Sequence, residues 1–123
     1  MNNLNELRPA WVEIDLDNLA HNIKEVRRVT DENSLVTAVV KANAYGHGSA
    51  EAAKIFLKNG ADRLAVATLS EAVELRRAGI EAPILILGYT PDCQHSIAVE
   101  NNITLAIYTI ESAMELSRVA TEH

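Results

Sequence analysis

Four short apolar runs, each followed by a segment of helical period, constrain this chain more than any other feature. The runs cover residues 35–40, 63–67, 84–87 and 103–107, and the helix-like segments cover 49–59, 69–78, 91–100 and 110–120. Runs of that length rich in Val, Ile and Leu read as strands buried on both faces. Strand-then-helix units in succession imply a parallel sheet with right-handed crossovers. The strands begin roughly 20 to 30 residues apart, close to the βα repeat of an eight-stranded barrel of about 250 residues. Four units leave two architectures open, a small open α/β domain or half of a barrel.

The residues between the runs agree with this division. Ser49 is expected to cap the first of these helices, and Gly60 suits the position past its end. Thr68 and Glu71 have capping-box spacing, and Gly79 stops the second helix. Pro83 can precede a strand but not sit inside one. Thr90 and Pro91 form an expected cap and first-turn pair for the third helix. Ala52, Ile55 and Phe56 share one helical face, as do Leu69, Ala72, Val73 and Ala78. Upstream, residues 10–16 alternate apolar and polar as a half-buried strand should, one belonging to another sheet or lacking its partner. Asp17 is then expected to cap a helix whose apolar face is Leu19, Ile23 and Val26.

Composition narrows the function classes. A length of 123 residues implies one domain. A net charge of −6 lacks the clustered basic surface that phosphate backbones require, so nucleic acid is not an expected partner. No apolar stretch reaches the roughly 18 residues of a membrane span. The opening Met1-Asn2-Asn3-Leu4-Asn5-Glu6 lacks the basic-then-apolar order of a secretory signal. The single cysteine, Cys93, excludes an internal disulfide framework and fits a bystander thiol in a reducing cytosol. His21 falls on an expected helix surface, and His95 and His123 have no partner at metal-ligand spacing, so no metal site is expected. The expectation is a cytoplasmic globular protein.

Lys41 stands at the end of the first run, where barrels and open α/β sheets place their chemistry. Neighbouring valines would partly desolvate its amine and favour the neutral, nucleophilic form of a Schiff-base lysine. The bland alternative is a lysine snorkelling from a strand end into water. After it come Tyr45, whose hydroxyl can donate to a phosphate, and Gly46 and Gly48, which permit close approach of a ligand. Asn43 and His47 are expected to shape the loop through side-chain to backbone hydrogen bonds.

The ten residues Val39-Val40-Lys41-Ala42-Asn43-Ala44-Tyr45-Gly46-His47-Gly48 resemble the pyridoxal-phosphate attachment segment of bacterial alanine racemases. The resemblance extends to Ala10-Trp11-Val12-Glu13-Ile14-Asp15-Leu16-Asp17, to Arg63-Leu64-Ala65-Val66-Ala67 with Glu71-Ala72, and to residues 79–88. It implies an α/β fold that is the amino-terminal half of a (β/α)8 TIM-type barrel, about four βα units preceded by one extra strand and helix. It also implies a single partial barrel domain over residues 1–123, with the later strands and a β-rich second domain missing.

By the same resemblance, Lys41 would carry pyridoxal 5'-phosphate and act as one of two acid/base groups. Tyr45 would hold the cofactor phosphate and Leu87 would line its pocket. The implied reaction interconverts L-alanine and D-alanine, supplying D-alanine for cell-wall peptidoglycan. The resemblance further implies a homodimer, a later arginine facing the pyridine nitrogen, and a second base given by a tyrosine of the other subunit. Tyr45, Tyr89 and Tyr108 all lie too early to be that base. On this reading the chain alone is inactive, marginally stable and prone to oligomerise, because a half barrel leaves edges unpaired and its inner face uncovered. The alternatives are a non-catalytic pyridoxal-phosphate-binding module or enzyme remnant, and an open α/β binding domain.

Overall fold

Ala38, Val40, Leu64, Val66, Ile84 and Ile86 alternate along three apolar runs, and all six are buried. In the computed structural model, which describes residues 10–122, these runs form strands β1 (Thr37–Val39), β2 (Arg63–Val66) and β3 (Ile84–Ile86). A short fourth strand, β4 (Thr104–Leu105), completes a parallel sheet of order β1-β2-β3-β4. The pairing Ala38↔Leu64↔Ile84 places three apolar side chains on one face, and Val39↔Ala65↔Leu85 places the next three on the other. Sequential parallel strands, each followed by a helix, make this the amino-terminal half of a (β/α)8 barrel rather than a doubly wound sheet.

The helices cover one face only. They are α1 (Leu16–Val29), α2 (Lys41–Tyr45), α3 (Ser49–Asn59), α4 (Leu69–Arg77), α5 (His95–Glu100) and α6 (Ile110–Glu122). Ala52, Ala53, Ala72 and Ala98 are wholly buried on α3, α4 and α5, and they join the strand residues in a single core. Alanine at these positions lets the helices approach the sheet closely, while Leu64, Leu75, Ile84 and Ile86 are the largest fully buried aliphatic side chains. Each fully buried aliphatic side chain contributes about 1.5–3 kcal/mol relative to exposure. On the opposite face, Ala65 is buried yet lies outside that core, and Val39 and Leu87 are 37% and 46% exposed. That face is the inner wall of the half barrel, and β1 and β4 are its two edges.

At the amino-terminal ends of the strands, Arg76 of α4 acts as a clamp. Its guanidinium donates to the carbonyls of Ile80, Ala82, Asn101 and Asn102 at 2.8–2.9 Å. These carbonyls lie in the two loops that lead into β3 and β4, so one side chain fixes both approaches.

Several expectations change. Residues 10–15 form no strand, and Trp11 and Val12 are 68% and 81% exposed. Their alternation is real, but no neighbouring strand among the described residues pairs with them, and a strand without a ladder is not retained. Asp15, not Asp17, caps α1, accepting from the backbone N–H groups of Asp17 and Asn18 at 2.9 and 3.0 Å. On α1, Ile23 is buried and Leu19 packs against the core, whereas Val26 is 47% exposed.

Ser49 is the first residue of α3 rather than its cap. The expected third helix is divided into a 3-10 turn (Asp92–Gln94) and α5. Pro91 is extended there (φ −59°, ψ 145°), and the Thr90 hydroxyl is buried without a hydrogen-bond partner instead of capping. Thr68 and Glu71 do form the expected capping box at the start of α4. His123 lies outside the described residues.

Candidate active site at the carboxyl ends of the strands

Lys41 is separated from β1 by Val40 alone and opens α2, a turn of unusual hand. Ala42, Asn43, Ala44 and Tyr45 have φ of 50°, 54°, 52° and 55°, so the backbone coils left-handed for four consecutive non-glycine residues. Each costs about 1–2 kcal/mol relative to the right-handed conformation. Such a turn persists only where its surroundings over-determine it, and such sites concentrate where function requires them.

Four ties hold it. The Gly46 N–H donates to the carbonyls of Ala42 and Asn43 at 3.2 and 3.1 Å, with Gly46 at φ 88°. The Asn43 carboxamide oxygen accepts the Ser49 N–H at 2.8 Å, which also supplies the missing cap of α3. His47 Nδ1 lies 2.9 Å from the Ala44 carbonyl. Asn43 and His47 thus shape the loop through the backbone bonds expected of them. The fourth tie comes from another βα unit: Glu71 Oε1 accepts the Ala42 N–H at 2.8 Å.

Glu71 Oε2 meanwhile accepts the N–H groups of Ala67 and Thr68 at 2.7 and 3.2 Å. Its partial burial alone would raise its pKa. The three backbone donors and the nearby positive charge of Lys41 outweigh that and hold it below the usual carboxylate value. The capping box identified Glu71 from sequence, but its bond to Ala42, 29 residues away, was invisible there.

The predicted site residues do share one end of the sheet. Lys41 is half-buried, with Val40 beside it fully buried. Lys41 follows Val40, whose ψ of 23° already leaves the strand conformation, and Leu87 lies one residue past β3, its N–H donating to the Val66 carbonyl at 2.8 Å. β1 and β3, which lead to Lys41 and Leu87, are separated by β2. The following residue must be glycine, because a Cβ on Gly88 would meet the Ala67 carbonyl oxygen at 2.5 Å.

Tyr45 shares the Lys41 turn and is 61% exposed. Its ring borders a cavity of about 150 Å³ that is also lined by Leu19, Val39, His47 and Phe56. Tyr108, not singled out from sequence, donates its hydroxyl to the Leu87 carbonyl at 3.0 Å and lies 6.4 Å from the Tyr89 ring, centroid to centroid.

This end of the sheet is matched by known proteins. The family profile for the alanine racemase N-terminal domain covers residues 14–123. The chain belongs to the alanine racemase family. The alanine racemase of Methanococcus maripaludis is 56% identical over 112 residues, which are 91% of this chain and 30% of that protein. That of Clostridium tetani is 50% identical over 116 residues, again 30% of its length. Among solved structures, the alanine racemase of Clostridium difficile 630 superimposes with a TM-score of 0.89 at 43% identity, covering 94% of this chain and 30% of that one. The chain therefore spans about 30% of the length of the alanine racemases it matches.

Proposed function

We propose that residues 1–123 form the amino-terminal part of the barrel domain of a pyridoxal-phosphate-dependent alanine racemase, and that Lys41 is its cofactor-bearing lysine. The observation that carries this is Lys41 itself, placed at the carboxyl end of a parallel strand and followed by a braced left-handed turn.

The residues present fit the cofactor. An amine stands at the strand end, and Val39 and Leu87 leave apolar surface exposed on the sheet face. A phenol hydroxyl lies one turn on, and the space where side chains on Gly46 and Gly48 would sit is open. In this reading Lys41 would hold the cofactor through its side-chain amine. Tyr45 would hold its phosphate through the phenol hydroxyl, and Leu87 would line its pocket. When bound, pyridoxal phosphate supplies an electron sink that lowers the barrier to removing an α-proton.

Lys41 Nζ then takes or returns the α-proton of alanine on one face. Inversion requires a second acid/base group on the other face. A homodimer that includes the later strands of the complete enzyme supplies that group, and the chain alone does not turn over. The product, D-alanine, serves peptidoglycan synthesis in the cytoplasm.

The experiment is an absorbance titration of the purified chain with pyridoxal phosphate, repeated with Lys41→Ala, together with an alanine racemisation assay. A visible band that depends on Lys41, without racemisation, is the expected result. No such band overturns the assignment of Lys41. Racemisation by the chain alone overturns the requirement for the rest of the enzyme. A band in a complete protein that never racemises alanine favours a non-catalytic binding module instead.

A further inference from the structure

We propose that Glu71 is the positioning residue for Lys41, a carboxylate that bridges the mouths of β1 and β2 and holds the turn that aims the lysine. The inference rests on the reading of Lys41 given above.

A capping box asks of Glu71 only that it accept the Thr68 N–H. In this chain it does more. One oxygen takes both Ala67 and Thr68, at 2.7 and 3.2 Å, and the other reaches Ala42 at 2.8 Å. Ala42 contributes the amide next to Lys41, so fixing its N–H fixes the peptide plane from which the lysine side chain departs.

Of the remaining ties, those from Asn43, Gly46 and His47 stay within residues 42–49, and the Ala44 N–H reaches back to the Val40 carbonyl at 3.0 Å. They close the turn on itself and hang it from Val40, whose N–H donates to the Ala65 carbonyl of β2 at 2.9 Å. Among the described hydrogen bonds of this turn, the Glu71 bond alone joins it directly to the β2–α4 unit. Both oxygens act as acceptors, which requires the carboxylate form. The positive charge of Lys41 lies close enough to help hold Glu71 in that form.

Glutamine separates the two halves of this role. Its single carbonyl oxygen can serve the paired donors Ala67 and Thr68, but its NH2 group then faces the Ala42 N–H, donor against donor. Glu71→Gln should therefore keep the helix cap and release the lysine turn. Thr68→Ala does the reverse, losing the hydroxyl cap while sparing Ala42.

The test measures amide hydrogen exchange at Ala42 and Ser49, and pyridoxal phosphate uptake by the Lys41-dependent band, in the whole chain and in both variants. In Glu71→Gln, exchange at Ala42 should rise at least tenfold while Ser49 changes little. The cofactor concentration for half-maximal band should rise at least tenfold. The pH midpoint of the band should also fall, because a negative charge that favours the protonated nitrogen is gone. Thr68→Ala should lower thermal stability and leave the midpoint and the half-maximal concentration at wild-type values.

A Glu71→Gln chain with wild-type exchange at Ala42 and a wild-type band overturns the positioning role while leaving Lys41 as the cofactor lysine. A wild-type chain with no Lys41-dependent band removes the cofactor reading and this inference together.

Discussion

The Asn43 carboxamide oxygen accepts the Ser49 N–H at 2.8 Å, so the turn that carries Lys41 also caps the helix behind it. Site and scaffold are built from the same bond. Asn43→Ala should cost about 1 kcal/mol, the usual value of an N-cap. It should also raise proteolytic nicking within residues 42–48. Thermal melts and limited proteolysis check both, and an unchanged melt means that the bond contributes nothing to the fold.

Arg76 gathers four backbone carbonyls at the opposite end of the sheet. Burial depresses its pKa, with the charge of Glu81 opposing that effect. Removing a charged donor from several part-buried acceptors is costly, so Arg76→Met should destabilise the chain by about 3 kcal/mol. Urea unfolding measures this. Cofactor uptake by the variant, measured under conditions where it remains folded, should match wild type, because Arg76 lies at the far end from Lys41.

The depressed pKa of Glu71 sets a direction for acid sensitivity. A carboxylate whose folded pKa lies below its unfolded value adds stability above the unfolded value, and that contribution fades as pH falls through the folded one. The wild-type chain should therefore lose stability on acidification below the ordinary glutamate value of 4.5 more steeply than Glu71→Gln does. Parallel melts of both proteins from neutral to acidic pH decide it. Identical slopes would mean that Glu71 is not bound as a carboxylate.

Val39 lies on the edge strand β1 and faces the uncovered inner wall, 37% exposed. An apolar face flanked by unpaired strand edges invites association. The isolated chain should self-associate at micromolar concentrations in sedimentation experiments, and Val39→Glu should shift it toward monomer. A wild-type chain that stays monomeric across that range contradicts this account of the open half barrel.

Much of the fold was legible because its signals are local. Apolar runs bounded by Gly60, Gly79 and Pro83 gave the four strands in order, and capping chemistry located α4. The strands proved shorter than their apolar runs, since residues such as Leu35 and Leu87 continue the composition beyond the ladder. Residues 10–15 misled because alternation reports a half-buried pattern but not the presence of a partner. The division before α5 was hidden because the Thr90–Pro91 pair fits a cap as well as an extended entry.

At the site, the type and placement of Lys41 were readable, as were the loop-shaping roles of Asn43 and His47. The hand of the turn was not, because Ala42, Ala44 and Tyr45 have no intrinsic preference for positive φ. Nor was the reach of Glu71, which depends on how two loops 29 residues apart are brought together by strand pairing.

The central claim is that Lys41 bears the cofactor, and reductive trapping tests it most directly. The chain is incubated with pyridoxal phosphate, reduced with borohydride, digested and analysed by peptide mass. The account predicts that the cofactor is retained on the peptide containing Lys41, with other lysines such as Lys54 and Lys58 labelled only at much higher cofactor concentration. Equal labelling across lysines, or none at Lys41, would contradict it.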